Sequence, residues 1–167
     1  METKTDPKAS MPVLINLYDW HTKIYKNAIV GISDKDAQNR LNTKANHVAW
    51  IAGSVVHERY ALAKFLNVNK QQTSHELFKD HKGIQDNVIY PPLSEYKKDW
   101  EEISPVLRDV LMHAGIEQLN GPDPYEMPGG PFTFFDSIIG CIDRESYCIG
   151  QIGLYRRLLG YDAIKYE

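Results

Sequence analysis

The sequence predicts an all-α protein, built as one bundle of four long helices with a crossover connection and short extra helices. Four segments carry apolar residues at the three- and four-residue spacing of amphipathic helices, and no segment shows the alternating pattern of a strand. The 167 residues, 43% hydrophobic and 25% charged, have the size and composition of one globular domain. We therefore expect a single domain over residues 11–167, preceded by a flexible polar tail at residues 1–10.

The first half of the chain contains two of the long helices. The first is predicted over residues 12–30, where Gly31 ends it. A short helical turn capped by Ser33 follows. The second long helix is predicted over residues 43–66. The apolar stripe expected to bury the first helix consists of Val13, Leu14, Leu17, Ile24 and Ala28.

The second half contains the other two long helices. A polar segment, residues 67–92, leads to the third helix at residues 94–119 and is predicted to hold a small helix at residues 74–79. Pro105 lies inside the third helix and is expected to kink or split it, because proline removes a backbone donor. A loop rich in proline and glycine then leads to the fourth helix, residues 131–159, which begins with a first-turn proline.

The charge and hydropathy of the chain argue against two classes of partner. The formal net charge is -3 without a block of like charges, so a basic face for nucleic acid or for anionic lipid is not expected. No apolar run approaches the roughly 18 residues that span a bilayer, and the first ten residues lack the apolar stretch of a secretory signal. Cys141 and Cys148 lie about 10 Å apart along one helix, too far for a disulfide. These features predict a cytoplasmic protein with free thiols.

Polar residues on the second and fourth helices mark the candidate ligand pocket, because bundles build their sites from side chains that face the core. Arg144 and Cys148 are four residues apart and share a face, as do Ser54 and Glu58. The predicted pocket lining is His47, Trp50, Ser54, His57, Glu58, Arg144, Glu145, Cys148 and Gln151.

The spacing of the six histidines gives little support for a metal site. No two lie three or four residues apart, so no helix offers two imidazoles one turn from each other. We therefore expect no metal or other cofactor. Zinc or nickel would be bound only by a displaced site, built from His47 or His57 together with Glu145 and Cys148.

Two motifs resemble those of the DinB-like superfamily, which takes its name from DNA-damage-inducible proteins. Residues 144–151, Arg-Glu-Ser-Tyr-Cys-Ile-Gly-Gln, resemble the family's last helix, His-Glu-x-Tyr-His-x-Gly-Gln, and an arginine-containing aliphatic stretch ending in Leu-Gly follows in both. Residues 46–54, Asn-His-Val-Ala-Trp-Ile-Ala-Gly-Ser, resemble its second helix, Asn-His-x-x-Trp-x-x-Gly-His. The resemblance covers nearly the whole chain in the order and spacing of helices. It implies a four-helix bundle, often a homodimer, with a three-histidine metal site, in a family that includes metal-dependent hydrolases and thiol-dependent transferases and isomerases.

The chain departs from this pattern at every metal-ligand position, since the family's histidines fall on Ser54, Arg144 and Cys148. A guanidinium stays protonated and only donates hydrogen bonds, so it cannot bind a metal ion. We therefore expect a DinB-like protein without the family's metal, which forms a homodimer and binds a small molecule, with anions among the candidates, or a partner protein. One alternative is a metal-dependent hydrolase or thiol-dependent S-transferase with the displaced site. Another is a thiol-based transfer or redox enzyme with Cys148 as its catalytic residue.

Arg144 and Cys148 each have alternative interpretations. Arg144 could face solvent or a subunit interface, pair with Glu58 in place of the lost ion, or anchor a carboxylate or phosphate. Cys148 is either a small buried apolar residue or a reactive thiol whose pKa is lowered by Arg144 one turn away.

The remaining polar candidates are expected to have packing or architectural roles. His47 and Trp50 either line the mouth of the pocket or pack against the bundle. Tyr147 and Gln151 are expected to bond to backbone or to a neighbouring helix.

Overall fold

The computed structural model describes residues 6–167, and this part of the chain is helical without a β-strand. The all-α prediction is therefore confirmed for these residues, and none of their helices has both the length and the apolar character needed to cross a membrane. The four long helices are α1 (Pro7–Ile29), α3 (Val48–Phe65), α4 (Leu93–His113) and α6 (Phe134–Leu158). The connections contain the short helices α2 (Asp34–Ala37) and α5 (Ile116–Leu119) and two 3-10 turns, His75–Leu77 and Lys79–His81.

Each long helix packs against two others: α1 and α3 both lie between α4 and α6. The helices α3 and α4 run parallel, because Gly53 of α3 approaches Tyr96 of α4 while Arg59, further along α3, bonds Ser104, further along α4. Parallel neighbours cannot be joined by a tight turn. Residues 66–92 therefore cross back along the bundle and form the crossover segment.

The helix α6 runs antiparallel to α3 and parallel to α1, as the order of contacts along each pair of helices shows. Side chains of α3 and α6 consequently face each other along most of their length. The pairs Ser54–Arg144 and Phe65–Phe134 show that α6 runs antiparallel to α3. The pairs His21–Glu145 and Ala28–Arg156 show that it runs parallel to α1.

The helix α1 begins at Pro7, earlier than predicted. The side chain of Asp6 caps it by accepting a hydrogen bond from the backbone N–H of Lys8, and a proline fits the first turn because its missing N–H has no partner there. The predicted flexible tail is therefore wrong for residues 7–10, and residues 1–5 lie outside the described part of the chain.

The buried face of α1 is rotated from the predicted stripe. Val13 is 64% exposed and Leu17 is 47% exposed, whereas Ile15, Tyr18 and Tyr25 are buried. The prediction counted aliphatic residues only. The two tyrosines bury larger apolar surfaces than the aliphatic side chains that they displace, so they decide which face turns inward.

The helix α3 begins at Val48 rather than at residue 43. His47 stands at its N-cap, where its ring Nδ1 accepts a hydrogen bond of 3.1 Å from the backbone N–H of Trp50. The N-cap role satisfies a backbone donor that no helical carbonyl can reach. A capping histidine lies outside the usual set of capping residues, which is why the sequence did not reveal this boundary.

The third predicted helix is divided, but not at the proline. The helix α4 passes through Pro105 and ends at His113, and Ala114 and Gly115 separate it from α5. Ser94 is not the cap of α4, since Pro92 takes the N-cap position without a side-chain bond.

The helix α6 begins after Thr133, not at Pro131. Thr133 and Asp136 form a reciprocal capping box, in which each side chain accepts from the backbone N–H of the other. Gly160 follows the last turn with a φ of +87°, a conformation that glycine adopts without strain.

Candidate functional site

The structure brings two of the three expected ligand positions into direct contact. Arg144 of α6 donates from Nη2 to the hydroxyl Oγ of Ser54 on α3, over 2.7 Å. Its Nη1 lies 3.7 Å from Oε2 of Glu58, one turn further along α3. The guanidinium is partly buried and thus spans the gap between the two helices.

This set of groups does not fit the metal ion that the resemblance implies. A hydroxyl, a guanidinium and a thiol stand at the three positions where the resemblance expects imidazoles, and the guanidinium carries a permanent positive charge with no lone pair to donate. Within residues 6–167, moreover, no three His, Cys, Asp or Glu side chains are grouped so that they could hold a metal ion together.

A second cluster extends the site beyond Glu58. The thiol of Cys141 lies 3.5 Å from Oε1 of Glu58 and 3.8 Å from the hydroxyl of Tyr125. Burial raises the pKa of Cys141, and the nearby Glu58 carboxylate raises it further. The thiol is therefore protonated at neutral pH and acts as a weak hydrogen-bond donor to the carboxylate.

Cys148 is 4% exposed and packs in the core. Burial raises its thiol pKa, and this effect outweighs the opposing charge of Arg144. A nucleophilic cysteine needs a depressed pKa and access to solvent. The geometry thus favours the interpretation of Cys148 as a small buried apolar residue over a reactive thiol.

A cavity of about 810 Å³ opens beside Glu58, but four residues of the predicted pocket are not among those that line it: Ser54, Arg144, Cys148 and Gln151. Its volume falls within the range of small-molecule sites. The walls come from α3, from the crossover segment and from the loop that precedes α6. The polar residues that line it include His57, Glu58, Lys64, His75, His81 and Tyr125.

His57 and Glu58 are the two residues of the predicted pocket that line this cavity. His57 is half-buried, with its ring centre 5.1 Å from that of His75 and 6.0 Å from that of Phe78. Burial lowers the pKa of His57, and the neighbouring His75 lowers it further. The imidazole is therefore neutral at pH 7.

His47 and Trp50 are not among the residues that line this cavity. His47 is buried, with its ring centre 5.1 Å from that of Tyr90 in an edge-to-face arrangement, and burial lowers its pKa. Trp50 is half-buried and lies 6.4 Å from Phe78. Both positions agree with packing rather than with a pocket mouth.

The two polar residues expected to brace α6 differ in their surroundings. Gln151 is half-buried. Tyr147 is 70% exposed, so the expectation that it bonds to a neighbouring helix is wrong. Its position on α6 turns it outward, away from α1 and α3.

Glu145 does not face the cavity but belongs to a different cluster inside the bundle. Its carboxylate receives two parallel hydrogen bonds from Arg59 of α3, 2.5 Å from Nε to Oε1 and 2.8 Å from Nη2 to Oε2. Arg59 is 1% exposed. Such a bidentate pair occupies the carboxylate and leaves it little capacity to bind a metal ion.

The same guanidinium contacts all four long helices. Its Nη1 donates to the hydroxyls of Thr22 on α1 and Ser104 on α4, over 2.8 and 2.7 Å. The rings of Tyr18 and Trp100 lie on its two faces, 3.8 and 3.5 Å from the guanidinium carbon. Arg59 is thus both paired and stacked, as a buried cation must be if it is not to destabilise the fold.

Sequence reasoning missed Arg59, although a signal was present. The residues three and four positions from Arg59 on either side are all apolar, and a charge on such a helix face requires a partner on a facing helix. Glu145 of α6 is that partner, but the predicted pocket lining includes it. His21 of α1 also approaches this carboxylate, with Nδ1 3.3 Å from Oε2, although the geometry is not that of a hydrogen bond.

The Arg59–Glu145 pair predicts acid sensitivity. Burial alone would raise the pKa of Glu145, but the charge and hydrogen bonds of Arg59 outweigh it, and the pKa lies below its ordinary value of 4.5. The stabilisation is therefore complete above that ordinary value and lost as pH falls through the lowered one. We expect the urea midpoint to decrease as the pH falls below about 4.5.

Two variants identify the source of this decrease. Glu145→Gln should remove part of the pH dependence, whereas Glu117→Gln, at an exposed position, should leave it unchanged. Equal pH slopes for the wild-type protein and Glu145→Gln would show that the buried carboxylate contributes nothing.

No family model matches this chain, and no curated protein or solved structure has significant similarity to it. The chemistry of the two clusters and of the cavity therefore carries the functional argument.

Proposed function

We propose that this chain is a DinB-like protein that binds a small anionic molecule in the cavity between α3, the crossover segment and the loop before α6. The observation that carries the proposal is the position of Arg144, whose guanidinium contacts Ser54 and Glu58 of α3 from α6; the resemblance assigns metal-ligand histidines to positions 54 and 144. A fixed positive charge there would take over the electrostatic role of the ion, while the cavity beside Glu58 provides the space for the ligand.

A comparison of the buried Arg59 with the partly buried Arg144 supports a ligand role for Arg144. Arg59 uses its guanidinium fully, on one carboxylate, two hydroxyls and two aromatic rings. Arg144 makes one hydrogen bond, to Ser54, among the described residues, and its contact with Glu58 is longer than a hydrogen bond. A guanidinium has five N–H donors. Arg144 therefore retains donors that can bind a carboxylate or a phosphate in a bidentate manner.

The cavity walls carry charges of both signs. Glu58, Asp80 and Glu126 are acidic, but Lys64, Lys70 and Lys79 can donate to an anion. The carboxylate of Glu58 separates them from Arg144. An anion that approaches Arg144 must displace Glu58 from it, and this competition is expected to select ligands that bear more than one acidic group.

The enzyme alternatives receive less support. A displaced metal site would need Glu145, which Arg59 binds through both carboxylate oxygens, and Cys148, which is buried and protonated. A thiol-based enzyme would need Cys148 as a thiolate. The binding function is therefore the proposal that we retain.

We also propose that the protein forms a homodimer through the outer faces of α1 and α6. These neighbouring helices expose large apolar side chains at helical spacing, which soluble proteins usually cover. The molar mass from light scattering should equal that of two chains, and Leu154→Lys should reduce it towards that of one. A wild-type monomer at high concentration would contradict this. The exposed residues are Val13, Leu17, Leu154 and Leu158.

The ligand proposal is tested by thermal unfolding with a panel of anions that includes phosphate, citrate and small dicarboxylic acids. At about 100 times its Kd, a ligand stabilises the native state by about 2.7 kcal/mol. Arg144→Ala should weaken binding by roughly tenfold or more, because a hydrogen bond to a charged group contributes about 1.5–3 kcal/mol.

Arg157→Ala is the matched control, since this arginine lies on the same helix but is exposed and faces away from the cavity. It should bind the same anions as the wild-type protein. The proposal fails if no anion of the panel shifts the unfolding of the wild-type chain, or if Arg144→Ala responds equally.

A further inference from the structure

The cavity wall contains two imidazoles that face each other across the junction of α3 and the crossover segment. The ring centres of His57 and His75 are 5.1 Å apart, with an angle of 40° between the ring planes. Both side chains are half-buried, and both line the cavity. A close histidine pair at the edge of a ligand-sized cavity is not required by packing, because apolar residues would fill the same space at lower desolvation cost.

The orientation of the His57 ring can be inferred from the surroundings of its buried nitrogen, Nδ1. Nδ1 is fully buried without a hydrogen-bond partner, and Oε1 of Gln72 is likewise buried and unpartnered. The Gln72 side chain is 2% exposed, and its Nε2 donates over 3.1 Å to the carbonyl of Gly53, which fixes the direction of the amide. Gln72 is also one of the groups that influence the pKa of His57, so the two side chains are close neighbours.

These two groups complement each other as donor and acceptor. A proton on Nδ1 of His57 would give Oε1 of Gln72 the donor that it lacks. The other ring nitrogen, Nε2, then carries the lone pair. Since Nδ1 is buried, Nε2 is the nitrogen left for the cavity that His57 lines. A histidine whose second nitrogen is held by a carbonyl is the usual arrangement of a metal ligand.

The separation of the two rings also fits a shared ion. With Zn–N bonds of about 2.0–2.1 Å and tetrahedral angles, two coordinated imidazoles place their ring centres about 5 Å apart.

We propose that His57 and His75 form a two-imidazole site for a divalent transition-metal ion of the zinc, nickel or cobalt class. Imidazole is a preferred ligand of these ions. The described residues offer no group of three ligands, so the open coordination positions are filled by water or by acidic groups of a molecule in the cavity. The site is separate from Ser54, Arg144 and Cys148, none of which is among the residues that line the cavity. It shares the cavity of the proposed function and deepens it, because an acidic ligand can bind the ion and Arg144 together.

The test is a titration of the untagged chain with Co²⁺, followed by visible absorption and by thermal unfolding. We expect one Co²⁺ per chain, with absorption that Zn²⁺ abolishes by competition. His57→Gln and His75→Gln should each weaken binding by more than about tenfold, the range found even for partners of metal ligands. If His57→Gln fails to fold, the His75 variant decides the outcome, since His75 lies on the crossover segment, outside the four long helices.

Three control variants separate this site from the alternatives. His113→Gln removes an exposed histidine of α4, and Cys148→Ser and Arg144→Ala alter the family's ligand positions. All three should bind Co²⁺ as the wild-type chain does. The proposal is overturned if the wild-type chain binds no Co²⁺, or if binding persists in both histidine variants. Because Arg144→Ala affects anions but not Co²⁺, failure of the anion experiment and failure of the metal experiment are distinguishable.

Discussion

Replacement of Arg59 by methionine is expected to destabilise the protein by about 3–5 kcal/mol, the usual cost of breaking a buried ion pair. The substitution removes every hydrogen bond of the guanidinium and leaves the Glu145 carboxylate charged, buried and without its cation. Thr22 and Ser104 lose a donor as well. Equilibrium unfolding in urea measures the change, as a lower midpoint at similar slope.

Two further variants separate the charge from the packing. The double variant Arg59→Met with Glu145→Leu should recover much of the loss, since an apolar pair of similar volume can replace a buried ion pair. Arg108→Met breaks a surface pair with Asp19 and should cost no more than about 1 kcal/mol. A change below about 1 kcal/mol for Arg59→Met would contradict a structural role of the cluster.

Replacement of Phe78 by alanine should cost about 3–5 kcal/mol, the usual range for a buried phenylalanine. Phe78 is 4% exposed and holds the crossover segment against α3 and α4. Phe78 packs directly against Gly53, which has no side chain. A Cβ at position 53 would lie 2.6 Å from the ring of Tyr96 and closer still to the ring of Phe78. This close approach explains why glycine is found inside a helix, where it normally lowers stability.

The loss of Phe78 should also be visible locally. Because the ring also contacts His57, hydrogen exchange should accelerate in the crossover segment more than in α1, and binding to the cavity should weaken. Phe132→Ala is the control, since that ring is 38% exposed and lies in the loop before α6. Uniform protection across the chain in Phe78→Ala would mean that the segment is held by other contacts.

The four long helices could be predicted because their apolar periodicity and their caps agree. Thr133 with Asp136, and Gly160, are examples in which local chemistry fixes a boundary. The buried face of α1 could not be predicted from aliphatic residues, because Tyr18 and Tyr25 decide it. Capping by a histidine and the passage of α4 through a proline depend on tertiary packing, which overrides local propensity.

The candidate site was predictable only in part. The contact between Arg144 and Ser54 follows from two motifs on facing helices. The role of Glu145 could not be predicted, because the sequence does not show whether its carboxylate faces the predicted pocket or the interior of the bundle. His75 could not be found, since the crossover segment is polar, lacks periodicity and gains its position from Phe78.

The buried pair in the bundle interior also constrains how this protein can evolve. If either residue of the pair is substituted alone, its partner remains as a buried charge without a counterion. Each single substitution would therefore give a poorly folded intermediate sequence. Positions 59 and 145 are therefore expected to change together or not at all among descendants of this sequence. A lineage that did exchange both for apolar residues would gain stability and then have no route back, because the first returning charge would again stand alone.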